Sequence, residues 1–143
     1  MIYIDTNVFV YAIENHPKYG KSCGGILRDV EGGRLEASCS VLVLVELINV
    51  LKKINDYLSK EGQRRLDIER NVEAVMSLPL VWIDVDFLVI ERASTYAFGI
   101  NGVDYVHIAS MELNSIHEVL SADRDLEKVG IIERVDPLDY RAS

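Results

Sequence analysis

Ile2-Tyr3-Ile4-Asp5-Thr6-Asn7-Val8-Phe9 is the stretch on which the fold turns. Ile2 to Ile4 is a β-branched and aromatic run of the kind that forms a strand. It ends on Asp5, Thr6 and Asn7, polar residues suited to a helix cap. A helix is predicted from Val8 to Ile13. A strand therefore hands an acid directly to a helix start.

The same alternation continues outward. A helix is predicted over Lys21 to Glu31, stopped by Gly32-Gly33, with a short strand from Leu35 to Cys39. Ser40 can cap a helix from Val41 to Asp56, where Glu46, Asn49 and Lys53 share a face through steps of three and four. A strand is the competing reading for Val41 to Val45. Ser59 to Ser77 reads as a further helix ended by Pro79, and Leu80 to Ile83 as a third strand. Asp86 can cap a helix over Phe87 to Phe98, and Val103 to Leu113 forms the next. His117 to Leu120 is a fourth strand, Leu126 to Val129 a short helix, and Ile131 to Val135 a last strand. Short strands alternating with helices predict an α/β fold with a central, mostly parallel sheet flanked by helices. The 143 residues suit one domain, 1–143, with no repeat and no linker.

Composition narrows the function. Apolar residues are 49% of the chain, which argues against disorder. Fifteen basic residues against twenty-three acidic ones give a net charge of −8. That argues against a protein holding nucleic acid by a broad basic surface. It leaves room for an acidic active site whose bound cations invert the local charge. Cys23 and Cys39 form neither a disulfide framework nor a ligand cluster, and are expected as small buried residues. The start lacks a basic segment leading an apolar one. The most apolar stretch, Val41 to Leu51, is too short for a bilayer. A cytoplasmic protein, not engaged with membrane, is expected.

The informative feature is where the acids sit. Asp5 follows the first strand and Asp123 lies three residues past the fourth, and open parallel sheets gather ligands at the carboxyl ends of strands. Glu46 interrupts an apolar helix, and Asp104 stands between Val103 and Tyr105 just after a turn. A lone carboxylate is costly to bury, and a cation offsets the cost. Hard oxygen donors suit Mg²⁺ or Mn²⁺. Each acid also has an ordinary reading: Asp5 as a helix cap, Glu46 on a solvated face, Asp104 favoured by a helix dipole, Asp123 as a loop acid. His107, on the helix of Asp104, can border the site or be a hydrogen-bonded core histidine. No phosphate loop, dinucleotide fingerprint or nucleophile elbow is present.

These segments resemble the PIN-domain family, in particular the single-domain VapC-like toxins of prokaryotic toxin–antitoxin pairs. Ile2 to Phe9 looks like the family's first strand and aspartate, and Ser40 with Val41 to Glu46 resembles the segment that places a glutamate in a helix. Gly102-Val103-Asp104-Tyr105-Val106-His107-Ile108-Ala109 is similar to the segment with the third acid. Leu120-Ser121-Ala122-Asp123-Arg124-Asp125-Leu126 is similar to the late strand and loop, with Ser121 and Leu126 where threonine and phenylalanine are frequent. The resemblance implies a three-layer fold and an Mg²⁺- or Mn²⁺-dependent endoribonuclease. Asp5, Glu46, Asp104 and Asp123 would be its catalytic and metal-binding residues, with Asp125 a rival or additional ligand. It also implies an RNA substrate, a homodimer and a cognate antitoxin that inserts a basic residue toward the acids. Thr6 or Ser121 would orient a ligand by hydrogen bonding.

The alternatives are a PIN nuclease of RNA maturation and a catalytically silent PIN-like module that binds RNA or protein. A phosphotransfer receiver also places an aspartate after its first strand, but it needs a supporting lysine, and Lys128 falls too late.

Overall fold

The computed structural model describes residues 1–141; the last two residues of the expected domain span lie outside them. Five strands form one sheet in the order β3-β2-β1-β4-β5, and every neighbouring pair is parallel. They are β1 (Ile2–Ile4), β2 (Ala37–Ser40), β3 (Val81–Ile83), β4 (Glu118–Leu120) and β5 (Glu133–Val135). Helices α1 (Thr6–Ile13) and α2 (Gly20–Glu31) connect β1 to β2. Helices α3 (Leu42–Lys60) and α4 (Ile68–Met76) connect β2 to β3. Helices α5 (Phe87–Ala93) and α6 (Gly102–Leu113) connect β3 to β4. Short 3₁₀ turns at Arg124–Lys128 and Pro137–Asp139 flank β5.

Strand periodicity divides the core. Successive side chains point to opposite faces. Ile4, Ala37, Cys39 and Leu120 join one apolar cluster with Val8 and Phe9 of α1, Ile26 of α2, Val43, Leu47 and Leu51 of α3, and Val75 of α4. Tyr3, Ile83 and Val119 join the opposite cluster with Ile108 and Met111 of α6. Val89 and Ala93 of α5 pack with Ala109 beside it. The result is helices, sheet, helices: the three-layer α/β architecture expected from the sequence. Both cysteines are free and buried. Among the described residues no helix is long and apolar enough to cross a membrane.

Some boundaries differ from the sequence reading. The continuous helix expected over Ser59 to Ser77 does not form. Instead α3 runs on to Lys60 and stops at Gly62, whose φ of +66° is a left-handed conformation natural to glycine. The chain then passes without helix to Asp67, whose side chain accepts the Arg70 N–H at 3.0 Å and starts α4. Helix α5 ends at Ala93 rather than Phe98. There Ser94 and Thr95 hydroxyls donate to the Glu91 and Arg92 carbonyls, competing with helix propagation. Tyr96 and Phe98 then turn into an aromatic group with Tyr105.

Strand order decides where a ligand can enter. From β1 the chain adds β2 and β3 on one side, then returns to place β4 and β5 on the other. Loops leaving β1 and β4 part in opposite directions, which opens a crevice at their carboxyl ends. Asp5 follows β1, and Ser121 to Asp123 follow β4.

Candidate active site

Asp5 is built into that crevice by the strand-to-helix step. It is the N-cap of α1, and one carboxylate oxygen accepts the Thr6 N–H at 2.8 Å. The other accepts the Ser121 hydroxyl at 2.7 Å and the Asn7 amide at 3.3 Å. The ordinary reading of Asp5 as a cap is therefore correct as local structure, and it leaves the rest of the carboxylate facing the crevice.

Asn7 ties the two edges of the crevice together. Its amide N–H also donates to Ser121 Oγ at 3.0 Å, and its carbonyl accepts the Ala122 N–H at 3.1 Å. Ser121 Oγ in turn accepts the Asp123 N–H at 3.0 Å. Arg134 of β5 donates to the Ser121 carbonyl at 2.9 Å and steadies the loop from behind.

Glu46 reaches the crevice from the second turn of α3. Its Oε1 accepts the Thr6 hydroxyl at 2.9 Å and a short hydrogen bond from His107 Nε2. On the other side of the imidazole, Nδ1 is paired with the Tyr3 hydroxyl, which also accepts the Ser40 N–H at 3.1 Å. In the neutral imidazole Tyr3 donates to Nδ1 and Nε2–H donates to Glu46; in the imidazolium both ring nitrogens donate, and Nε2–H still goes to Glu46. Strand alternation makes this possible. It turns Tyr3 away from its neighbours Ile2 and Ile4 and toward α6, where His107 is buried.

Asp5, Thr6, Asn7, Val10, Tyr11, Glu46, Val50, Asp104 and Asp123 line one cavity of about 310 Å³. It thus brings Asp5, Glu46, Asp104 and Asp123 together from four distant segments. Asp125 is not among the lining residues. It is exposed, pairs with Lys128 Nζ at 3.2 Å, and donates its backbone N–H to Asp123 Oδ1 at 2.9 Å. Thr6 and Ser121, singled out from the sequence as orienting groups, bond Glu46 and Asp5 respectively.

The electrostatics are those of crowded acids. Burial pushes the Asp104 carboxyl up to about 6, and the negative charge of Asp5 adds to the effect. Burial likewise raises Asp5, against the pull of His107 and its hydrogen bonds. Burial also works to raise Glu46, but the hydrogen bond and charge of His107, with the Thr6 bond, outweigh it and hold Glu46 low. His107 is the counterpart. Burial works against its cation, yet Glu46, Asp5 and Asp104 together raise its pKa above the ordinary value.

Such a set of hard oxygen donors, short of positive charge, matches a divalent cation. Among the described residues no three Asp, Glu, His or Cys side chains are gathered closely enough to hold an ion jointly. Mg²⁺ does not require that, since it keeps several waters and takes one or two carboxylates.

The sequence reading leaves out Tyr3, which backs His107 from the core, and Asn7 and Tyr11, which line the cavity. For Tyr3 the signal was available: a tyrosine at the one strand position facing α6, where His107 follows Asp104 by three residues. For Asn7 and Tyr11 it was the i, i+4 spacing after Asp5.

The chain matches the PIN domain family model over residues 2–132. Its structure is similar to that of VapC20 of Mycobacterium tuberculosis, a sarcin–ricin loop cleaving toxin, with a TM-score of 0.72 at 16% identity, covering 93% of this chain and 98% of that one. It is also similar to VapBC2 from Rickettsia felis bound to a promoter DNA fragment (TM-score 0.65, 19% identity, 95% and 100% covered). A toxin–antitoxin complex from Klebsiella pneumoniae gives a TM-score of 0.64 at 15% identity, with 96% and 98% covered. No curated protein matches the chain. At these identities the solved structures establish the fold alone. The match to the family model spans most of the sequence, and the chain belongs to the PIN-domain family.

Proposed function

We propose that this protein is a metal-dependent endoribonuclease, the toxin of a toxin–antitoxin pair, acting through Asp5, Glu46, Asp104 and Asp123. The observation that carries the reading is the meeting of these four acids in one cavity at the point where the strand order reverses. Similarity in fold to toxins and toxin–antitoxin complexes supports the biological setting.

Asp5 and Asp104 would hold Mg²⁺ or Mn²⁺, with Glu46 and Asp123 contributing directly or through water. Bound there, the ion supplies Lewis-acid charge and a water of lowered pKa for attack on a phosphodiester. The remaining work falls to the protein. Ser121 and Asn7 fix the Asp5 carboxylate, so that its orientation survives substrate exchange. Thr6 and His107 hold one oxygen of Glu46 and leave the other to accept a proton or a water. The His107 Nε2 proton, backed by Tyr3 at Nδ1, keeps Glu46 ionised at neutral pH. Asp125, exposed and paired with Lys128, is left out of the proposed ligand set. A basic residue of an antitoxin, arginine above all, can pair with the same carboxylates and block them. The active species is proposed to be a homodimer in the cytoplasm.

The test is cleavage of single-stranded and structured RNA with Mg²⁺ or Mn²⁺, with an EDTA control and Asp5→Asn as the variant. Activity should need the divalent ion and fall by orders of magnitude in D5N, which stays folded. Equal cleavage in EDTA would overturn the metal reading, and a fully active D5N would remove Asp5 from the centre.

A further inference from the structure

The acidic cavity is not closed at its α3 side. Val50 lines it and also lines a second, more apolar cavity of about 520 Å³, together with Glu14, Lys53, Ile54, Tyr57, Leu58 and Leu66. The two meet at Val50, on one helix face. Glu46, Val50, Lys53 and Tyr57 are separated by steps of four, three and four, which stack on a single stripe of α3. Eleven residues of helix span about 16 Å, room for roughly four nucleotides at a stacked rise of about 3.4 Å.

The far wall of this groove is pinned in place. The Asn55 amide bonds the Leu66 backbone in both directions, donating to its carbonyl at 2.9 Å and accepting its N–H at 2.7 Å. The loop after α3 is thereby held against the helix, and Leu66 is fixed beside Ile54 and Leu58.

The chain segment that carries Lys53 and Tyr57 is basic on balance. Residues 52–70 carry Lys52, Lys53, Lys60, Arg64, Arg65 and Arg70 against Asp56, Glu61, Asp67 and Glu69, in a chain of net charge −8. These six basic residues are exposed, and none makes an ion pair among the described residues. Tyr57 is 62% exposed, with its ring beside an apolar floor. Of the groove's lining residues Lys53 and Glu14 are charged, and Lys53 makes no ion pair among the described residues. An apolar, aromatic groove with an unpaired lysine, leading into the acidic cavity, offers what single-stranded nucleic acid uses, a cation for a phosphate and a π-face for a base.

We propose that the stripe from Val50 to Tyr57 is the subsite for a single-stranded RNA segment flanking the phosphate held at the carboxylates. Lys53 pairs with a backbone phosphate and Tyr57 stacks a base. The groove makes the protein select unpaired RNA, because a duplex cannot offer a base face to Tyr57. This inference rests on the ribonuclease reading above, and its test separates the two.

The experiment is fluorescence anisotropy with labelled oligoribonucleotides of two to twelve nucleotides and a duplex of the same sequence. It uses full-length protein carrying D5N to prevent cleavage, alone and combined with Lys53→Ala, Tyr57→Ala or Tyr57→Phe. Cleavage by the same groove variants with Asp5 intact is followed in parallel. Affinity for single strands should rise up to about four or five nucleotides and exceed that for the duplex. Y57A should weaken binding about tenfold or more, and Y57F should restore it. K53A should weaken binding severalfold and reduce the salt dependence by about one counter-ion. Both positions are exposed, so folding is not at issue. A parent that cleaves RNA while K53A and Y57A bind and cleave as it does would overturn this inference alone. A parent that neither binds nor cleaves RNA would overturn the ribonuclease reading with it. If RNA affinity is unchanged but a co-expressed partner protein is lost from Y57A, the groove is a protein-docking surface and the RNA assignment is wrong.

Discussion

Removing the charge of Asp104 should stabilise the metal-free protein at neutral pH, although it removes a proposed ligand. Burial and the neighbouring Asp5 push this carboxyl from 3.8 up to about 6. At about 1.4 kcal/mol per pKa unit, that shift is worth at most about 3 kcal/mol against the folded state when Asp104 is ionised. The carboxylate is only partly buried, so solvent screening reduces the figure to about 1.5 kcal/mol. Asp104 also lies in the first turn of α6, where losing the charge forfeits about 0.5 kcal/mol of helix-dipole interaction. Asp104→Asn should therefore gain about 1 kcal/mol, or about 3 °C in melting temperature.

The pH dependence has a definite sign. The folded pKa is raised, so the folded state holds the proton more tightly than the unfolded chain does. The native protein keeps this stability below the unfolded value near 3.8 and loses it as pH rises through about 6. The advantage of D104N should be absent at pH 4, grow up to about pH 6 and level off by pH 7. Urea melts in chelator-treated buffer at matched pH values measure it. Adding Mg²⁺ at about ten times its Kd stabilises the native protein by about 1.4 kcal/mol, enough to erase the advantage of a variant that binds the ion poorly. A D104N protein less stable than the parent at pH 7 without metal, or a difference independent of pH, would refute the argument.

Three other perturbations test the packing around the site. Tyr3→Phe removes the acceptor of the Ser40 N–H and the partner of His107 Nδ1 in a fully buried place, and should cost about 1–3 kcal/mol in urea melts. Leu51→Ala empties a completely buried position between α3 and the first core cluster; a loss of about 2–5 kcal/mol is expected, and a loss under 1 would mean that the position is not packed as described. Asn55→Ala frees the Leu66 N–H and carbonyl and should cost about 1–2 kcal/mol. Limited proteolysis should then cut the variant, but not the parent, within residues 61–67.

What the sequence determined by itself was local. Ile2 to Asn7 encode a strand, a cap and a helix start within six residues, and the same logic sets β4 before Asp123. Chemical type at short spacing is enough for such steps, which is why the parallel α/β layering and the positions of Asp5 and Asp123 were legible. Helix ends were less so. The passage from Lys60 to Asp67 depends on Gly62 adopting a left-handed turn and on Asn55 gripping Leu66, a contact across eleven residues. Tertiary structure alone decided which polar groups meet. Tyr3, Glu46 and His107 come from three elements on both sides of the sheet, and their mutual hydrogen bonds exist only because β1 lies between β2 and β4. Asp125 sits two residues from Asp123 yet turns to Lys128, because the 3₁₀ turn after β4 carries it outward. Sequence spacing gives the face a residue occupies on its own helix or strand. The direction in which that face looks is fixed by strand order and packing.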